Sequence, residues 1–275
     1  MRRPSLPDWL IYCGTVAAVA FAAVTWRQRA DAPPAPPPVP GASDTLAAEA
    51  PFEPGEVKPV PDNPLFTRSG TAFSVSSAGV WLTARHVVDD CRKVAVIVAD
   101  GRGVVAEVTA GPEADVAVLK TEGGGPPLPL ALRAQLYDGQ RVFHPGYPQG
   151  EPGEATSIYL GRDQWRGPER GARPQPVLAW AESGRTDGVE GSLAGLSGAP
   201  VLDRAGQVVG VTLGESPRRG RLYAAPAEAI RSALARAKVD LTGLAQGQPV
   251  NVDNYGRVAD GLRRDLRVAE VACLT

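Results

Sequence analysis

From Ser69 onward the chain consists of short apolar runs split by Gly, Pro and Asp. That punctuation favours many turns joining short strands over long helices. Thr71–Val75, Val80–Leu82, Val94–Val98, Val104–Val108 and Ala114–Leu119 make a first strand set, with Asp100-Gly101 as a hairpin turn signal. The chain then crosses through Gly123-Gly124-Gly125-Pro126-Pro127. A second set follows at Arg141–His144, Ser157–Leu160, Val177–Ala181, Pro200–Leu202, Val208–Leu213 and Leu222–Ala225, with Arg204-Ala205-Gly206 turning into Val208. The expectation is an all-β fold of two small antiparallel β-barrels. Pro226–Ala237 then reads as a closing helix, Val258–Arg267 as a second helix and Val268–Cys273 as a strand. A length of 275 residues, with 27 Pro and 31 Gly, suits one sizeable domain of this kind plus extensions.

The chemistry centres on Gly195-Leu196-Ser197-Gly198-Ala199-Pro200, a G-x-S-G-x-P turn that presents one hydroxyl. A serine hydroxyl is a weak nucleophile; it needs a base within hydrogen-bond reach and a third group to orient that base. The chain holds two histidines. His86 follows the strand-like Gly79–Leu82, and Asp115 opens the apolar run Val116–Leu119. The order is therefore His86, Asp115, Ser197. No histidine follows Ser197, which excludes the α/β-hydrolase order Ser, Asp/Glu, His; that fold's G-x-S-x-G elbow also fails at Ala199. The subtilisin order, Asp, His, Ser, would need an aspartate from a Pro-rich stretch. The chymotrypsin order fits. Each residue has a bland reading: a turn serine, a capping aspartate, a core histidine. The three together, in this order and with these flanks, read as a catalytic set. His144, outside any triad spacing and followed by a proline, reads as a loop residue.

Thr83-Ala84-Arg85-His86-Val87-Val88, Asp115-Val116-Ala117-Val118-Leu119-Lys120 and the G-x-S-G-x-P turn resemble a trypsin-like serine protease, most nearly the bacterial HtrA/Deg branch. Ser69–Phe73, Pro145–Gly150, Val208–Val211 and Leu222–Pro226 match that branch in order, so the resemblance spans Ser69 to Ala237. It implies a chymotrypsin-like pair of six-stranded barrels with the triad drawn from both. It also implies backbone N–H groups of Gly195 and Ser197 as an oxyanion hole. Such donors are worth roughly 3–4 kcal/mol each in the transition state. By the same resemblance Gly191 forms the floor of the substrate pocket, with Thr212, Leu213 and Gly214 on one wall and Ala224 and Ala225 on the other. With no aspartate at that floor, a small or medium apolar residue is the expected partner; Glu190, one position away, would alter this if the loop shifts. Arg218, Arg219 and Arg221 border the pocket strands, as a solvated loop or as a contact for acidic substrates. Two departures stand out. The 38 residues after Ala237 are too few for a PDZ domain, and the family's outer strand ahead of Ser69 is replaced by linker. The C-terminal strand is a candidate to fill that gap.

Before Ser69 the character differs. Residues 1–29 carry a 17-residue uncharged apolar run, Leu10–Trp26, flanked by Arg2, Arg3, Arg27 and Arg29. As a helix it spans about 25 Å, nearly a hydrocarbon core, and reads as a single transmembrane helix anchoring the chain. A cleaved signal with Ala20-Phe21-Ala22 as its site is the alternative. Residues 30–64 form a Pro-rich tether: Asp31–Pro64 holds 11 prolines, six acidic residues and one lysine, too little apolar surface to fold. Residues 65–240 are the expected protease domain and 241–275 a C-terminal extension. The expected location is a bacterial inner membrane with the domain in the periplasm or outside. Cys13 lies in the apolar run; Cys91 and Cys273 could form a disulfide in an oxidising compartment or remain two free thiols. A net charge of −1 without a basic run argues against nucleic acid. No metal or cofactor is expected, and the partner class is a protein or peptide substrate. The rival reading is a catalytically silent, membrane-tethered binding module.

Overall fold

The computed structural model describes residues 16, 58–59, 66–99, 101–167, 173–239 and 245–274. The first strands are β1 (Lys58–Pro59), β2 (Phe66–Ser76) and β3 (Val80–Thr83), followed by the single-turn helix α1 (Arg85–Val88). Next come β4 (Lys93–Ala99), β5 (Arg102–Ala110) and β6 (Ala117–Lys120). The second set is β7 (Arg141–Gly146), β8 (Gly153–Arg166), β9 (Pro174–Arg185), β10 (Pro200–Leu202), β11 (Val208–Ser216) and β12 (Arg221–Ala225). Two helices and a strand finish the chain: α2 (Ala227–Arg236), α3 (Tyr255–Arg264) and β13 (Val268–Leu274).

These strands close into two six-stranded antiparallel barrels. In the first, β13 lies between β2 and β4, with Glu270 opposite Thr71 and Val271 opposite both Gly70 and Val96. Pairing of β5 with β6, Val108 opposite Leu119, closes the ring. Closure matters because an open sheet would leave unpaired backbone groups along its edge. The second barrel runs β10-β11-β12-β9-β8-β7 and closes through Leu202 opposite Phe143. In the first barrel the register partners Phe73 and Leu82 share one face and Trp81 and Leu119 the other, all four buried; Leu178, Trp180 and Val201 are buried in the second. Helix α3 seats Arg263 between elements. Its guanidinium donates to Gly146 O, Gly153 O and the Glu154 carboxylate at 3.1–3.4 Å, and it pairs with Asp260. Arg263 and Glu154 are both buried, so neither charge stands alone in the interior.

Several expectations are amended. β6 starts at Ala117 rather than Ala114, because the Asp115 backbone leaves the ladder: its N–H donates to Gln175 Oε1 and its carbonyl accepts from Arg85 N. β8 and β9 extend well beyond 157–160 and 177–181. Their outer halves pair mainly with each other and are largely exposed, with Trp165 and Gln175 half-buried, so no apolar alternation marks them. His144 is not a loop residue; it is fully buried on β7. Within the expected tether, Lys58–Pro59 pairs with Arg102 and Gly103. The rest of 30–64 and, Val16 apart, the apolar run 10–26 lie outside the described residues. Among the described residues no helix is long and apolar enough to cross a membrane.

Candidate active site

His86 is presented by α1 at the end of β3. Its backbone N–H donates to Asp115 Oδ1 at 2.8 Å, and its ring Nδ1 lies 2.7 Å from Asp115 Oδ2. A carboxylate only accepts, so Nδ1 carries the proton and Nε2 is left as the acceptor facing the cleft. Asp115 is 3% exposed, and its second anchor, Gln175, comes from the other barrel. Arg68 steadies the same turn by donating to the carbonyls of His86 and Asp89.

Ser197 lies at the joint of the two barrels. Its carbonyl accepts from Thr71 N of β2 at 2.8 Å, while Gly198 N donates to Thr212 O of β11 at 2.7 Å. Only glycine fits at position 198: φ is +92° and a Cβ would stand 1.9 Å from Thr71 O. The approach to the serine is a turn closed by Leu196 N donating to Leu193 O at 2.9 Å, with Gly195 at φ +97°. Thr71 Oγ1 donates to Gly195 O, and Gln149 Nε2 donates to the carbonyls of Glu190 and Ser192. In this arrangement, among the described residues, neither Gly195 N–H nor Ser197 N–H has a protein acceptor. The Ser197 hydroxyl donates to Leu213 O at 3.0 Å rather than to the imidazole.

His86 and Ser197 line one cavity of about 250 Å³. Thr212, Leu213 and Gly214 line it, as do Trp165, Ser192, Leu193, Ala194, Leu196, Glu215 and Leu222. Gly191 and Ala224, expected as floor and wall, do not. Gly191 sits on the exposed outside of the loop, where its carbonyl accepts from Arg185, and Ala224 turns fully into the barrel interior. Ser192 and Leu193 carried a faint signal through their nearness to Ser197. Trp165 carried none, because it reaches the cavity only through the β8–β9 arm, where it stacks on Tyr223. Glu215 is one residue beyond the expected wall. Its Oε1 accepts from Ser192 Oγ at 2.6 Å and from Leu193 N at 2.8 Å, holding the opposite wall in place.

Behind Thr212 lies His144, with Nδ1 2.9 Å from Thr212 Oγ1 and Nε2 2.7 Å from Ser157 Oγ. Burial lowers its pKa to about 3, so it is a neutral strut under the cavity wall. Cys91, just past α1, is disulfide-bonded to Cys273 of β13 with Cα atoms 5.4 Å apart. The inserted strand and the histidine-bearing turn are thereby tied together.

A family model for the trypsin-like peptidase domain matches residues 70–211. Serine protease Rv3671c of Mycobacterium tuberculosis (strain H37Rv) is 34% identical over 148 residues, covering 53% of this chain and 36% of that protein. A probable periplasmic serine endoprotease, DegP-like, of Ectopseudomonas mendocina is 31% identical over 144 residues, 52% of this chain and 28% of that one. The chain thus matches about a third of the length of these curated relatives. Among solved structures, the Rv3671c protease in its inactive form superposes with a TM-score of 0.51 at 25% identity, covering 75% of this chain and all of the other.

Proposed function

The chain belongs to the trypsin-like peptidase family, and we propose that it is a membrane-tethered serine endopeptidase acting outside the cytoplasm. The observation that carries the reading is one cleft between two barrels that holds an Asp115-oriented imidazole and the Ser197 hydroxyl. In the proposed cycle the Ser197 side chain rotates from Leu213 O to His86 Nε2. His86 takes its proton as Oγ attacks the substrate carbonyl, then delivers that proton to the leaving amine. Asp115 holds the tautomer and stabilises the imidazolium. The Gly195 and Ser197 N–H groups receive the developing oxyanion. Water then cleaves the acyl-enzyme by the same route in reverse.

Labelling with a fluorophosphonate probe tests this: the wild-type chain should be modified at Ser197 and the Ser197→Ala variant should not. A folded, oxidised protein that resists the probe would favour the second reading, a silent binding module. That reading draws on the serine hydroxyl being held by Leu213 O instead of the histidine.

The extracytoplasmic placement draws on the apolar run at residues 10–26, on the Cys91–Cys273 bridge, which suits an oxidising compartment, and on a relative named as probably periplasmic. Removing residues 1–29 should release the protein from membrane fractions; retention would reject the anchor.

A further inference from the structure

We propose that Glu215 determines specificity, directing the cavity beside Ser197 toward a lysine or arginine side chain on the acyl side of the cleaved bond. This deepens the peptidase reading and rests on it. Cavities of this kind discriminate by what the substrate leaves unpaired. Here one carboxylate oxygen, Glu215 Oε1, already has two neutral donors, Ser192 Oγ and Leu193 N–H. The other, Oε2, is enclosed and among the described residues has no hydrogen-bond partner. An enclosed carboxylate oxygen without a donor is unfavourable, and a ligand that brings donors and positive charge removes that deficit.

The rest of the cavity suits the same guest. Leu193, Leu213 and Leu222 offer apolar wall for an aliphatic stem, and the Trp165 ring attracts a cation. Oε2 is enclosed as it stands, so a guest reaches the carboxylate only once the hydroxyl of the exposed Ser192 swings off Oε1 and opens that side of the group to an ammonium or guanidinium. The position expected as the pocket floor, Gly191, carries no acid and lies outside the cavity. The acid arrives instead from β11, across the cavity. An apolar guest would supply neither donors nor charge, so the earlier expectation of a small apolar partner is replaced.

The test uses fluorogenic peptides identical except for Arg, Lys, Leu or Ala before the scissile bond. Wild-type kcat/KM should favour Arg and Lys over Leu by about 10- to 100-fold, the range of a charge-assisted hydrogen bond. Glu215→Gln keeps an amide oxygen for Leu193 N–H and Ser192 Oγ, so the wall persists while the charge is gone; the Arg-to-Leu ratio should collapse toward one. Glu215→Ala serves as a second variant. A wild-type preference for Leu, or a ratio unchanged in both variants, overturns the proposal. Binding of the fluorescent cation p-aminobenzamidine to Ser197→Ala protein separates this from the peptidase reading. If no peptide is cleaved, saturable binding that Glu215→Gln weakens at least about tenfold upholds the site, and its absence rejects it.

Discussion

At the scale of single residues, His144 decides how this protein responds to acid. It is buried between Thr212 and Ser157, and desolvation holds its pKa at about 3 against an ordinary 6.5. Below about pH 6.5 the unfolded chain takes up a proton that the folded one refuses. Stability is therefore complete above that value and falls as pH drops, by about 1.4 kcal/mol per unit from this group. Glu154, also buried, has its carboxyl pushed up by desolvation against the pull of Arg263, so other groups contribute slopes of their own. The clean measurement is a difference. The unfolding free energy of wild type minus that of His144→Gln should decline between pH 6.5 and pH 4; a flat difference would show that the imidazole accepts its proton inside. His144 was misread because proline at the next position suggested a turn. Nothing in the local pattern records the Thr212 and Ser157 hydroxyls that make a buried imidazole tolerable.

At the scale of an element, β13 brings a carboxylate close to the residue that supports the Ser197 turn. Glu270 is register partner to Thr71, and paired residues share a face of the sheet. Thr71 in turn holds both Ser197 O and Gly195 O. Desolvation first, then repulsion from Glu151, raises the Glu270 pKa to about 7, partly countered by a hydrogen bond with Ser69. A raised carboxyl stabilises the fold at low pH and loses that contribution as pH climbs through its folded value. Glu270→Gln should therefore raise the melting temperature at pH 8 and change it much less at pH 5. An equal shift at both would assign the effect to packing. The strand itself was legible, since Val268–Cys273 is an unbroken β-prone run with no Gly or Pro. Its neighbours came from a resemblance, which marked an outer strand as missing.

At the scale of the molecule, two barrels are held by a few long-range ties. The Cys91–Cys273 bridge spans 182 residues of sequence and anchors the last strand beside the histidine turn. Replacing both cysteines with serine should cost about 2–5 kcal/mol, read as a lower denaturant midpoint with a steeper slope, because the uncrosslinked denatured chain exposes more surface. No loss would mean that β13 is held by its ladder alone. The strand sites, the order His86, Asp115, Ser197 and the glycine turn were readable from the chain, because alternation, turn chemistry and a nucleophile's needs are local or ordinal properties. What guards the site was not. Gln175 on Asp115, Trp165 in the cavity, Glu215 across from Ser192 and the fate of position 191 depend on which loops meet at the joint of two closed sheets. A primary sequence states each side chain's chemistry, but only closure of the barrels sets which of them share a low-dielectric space.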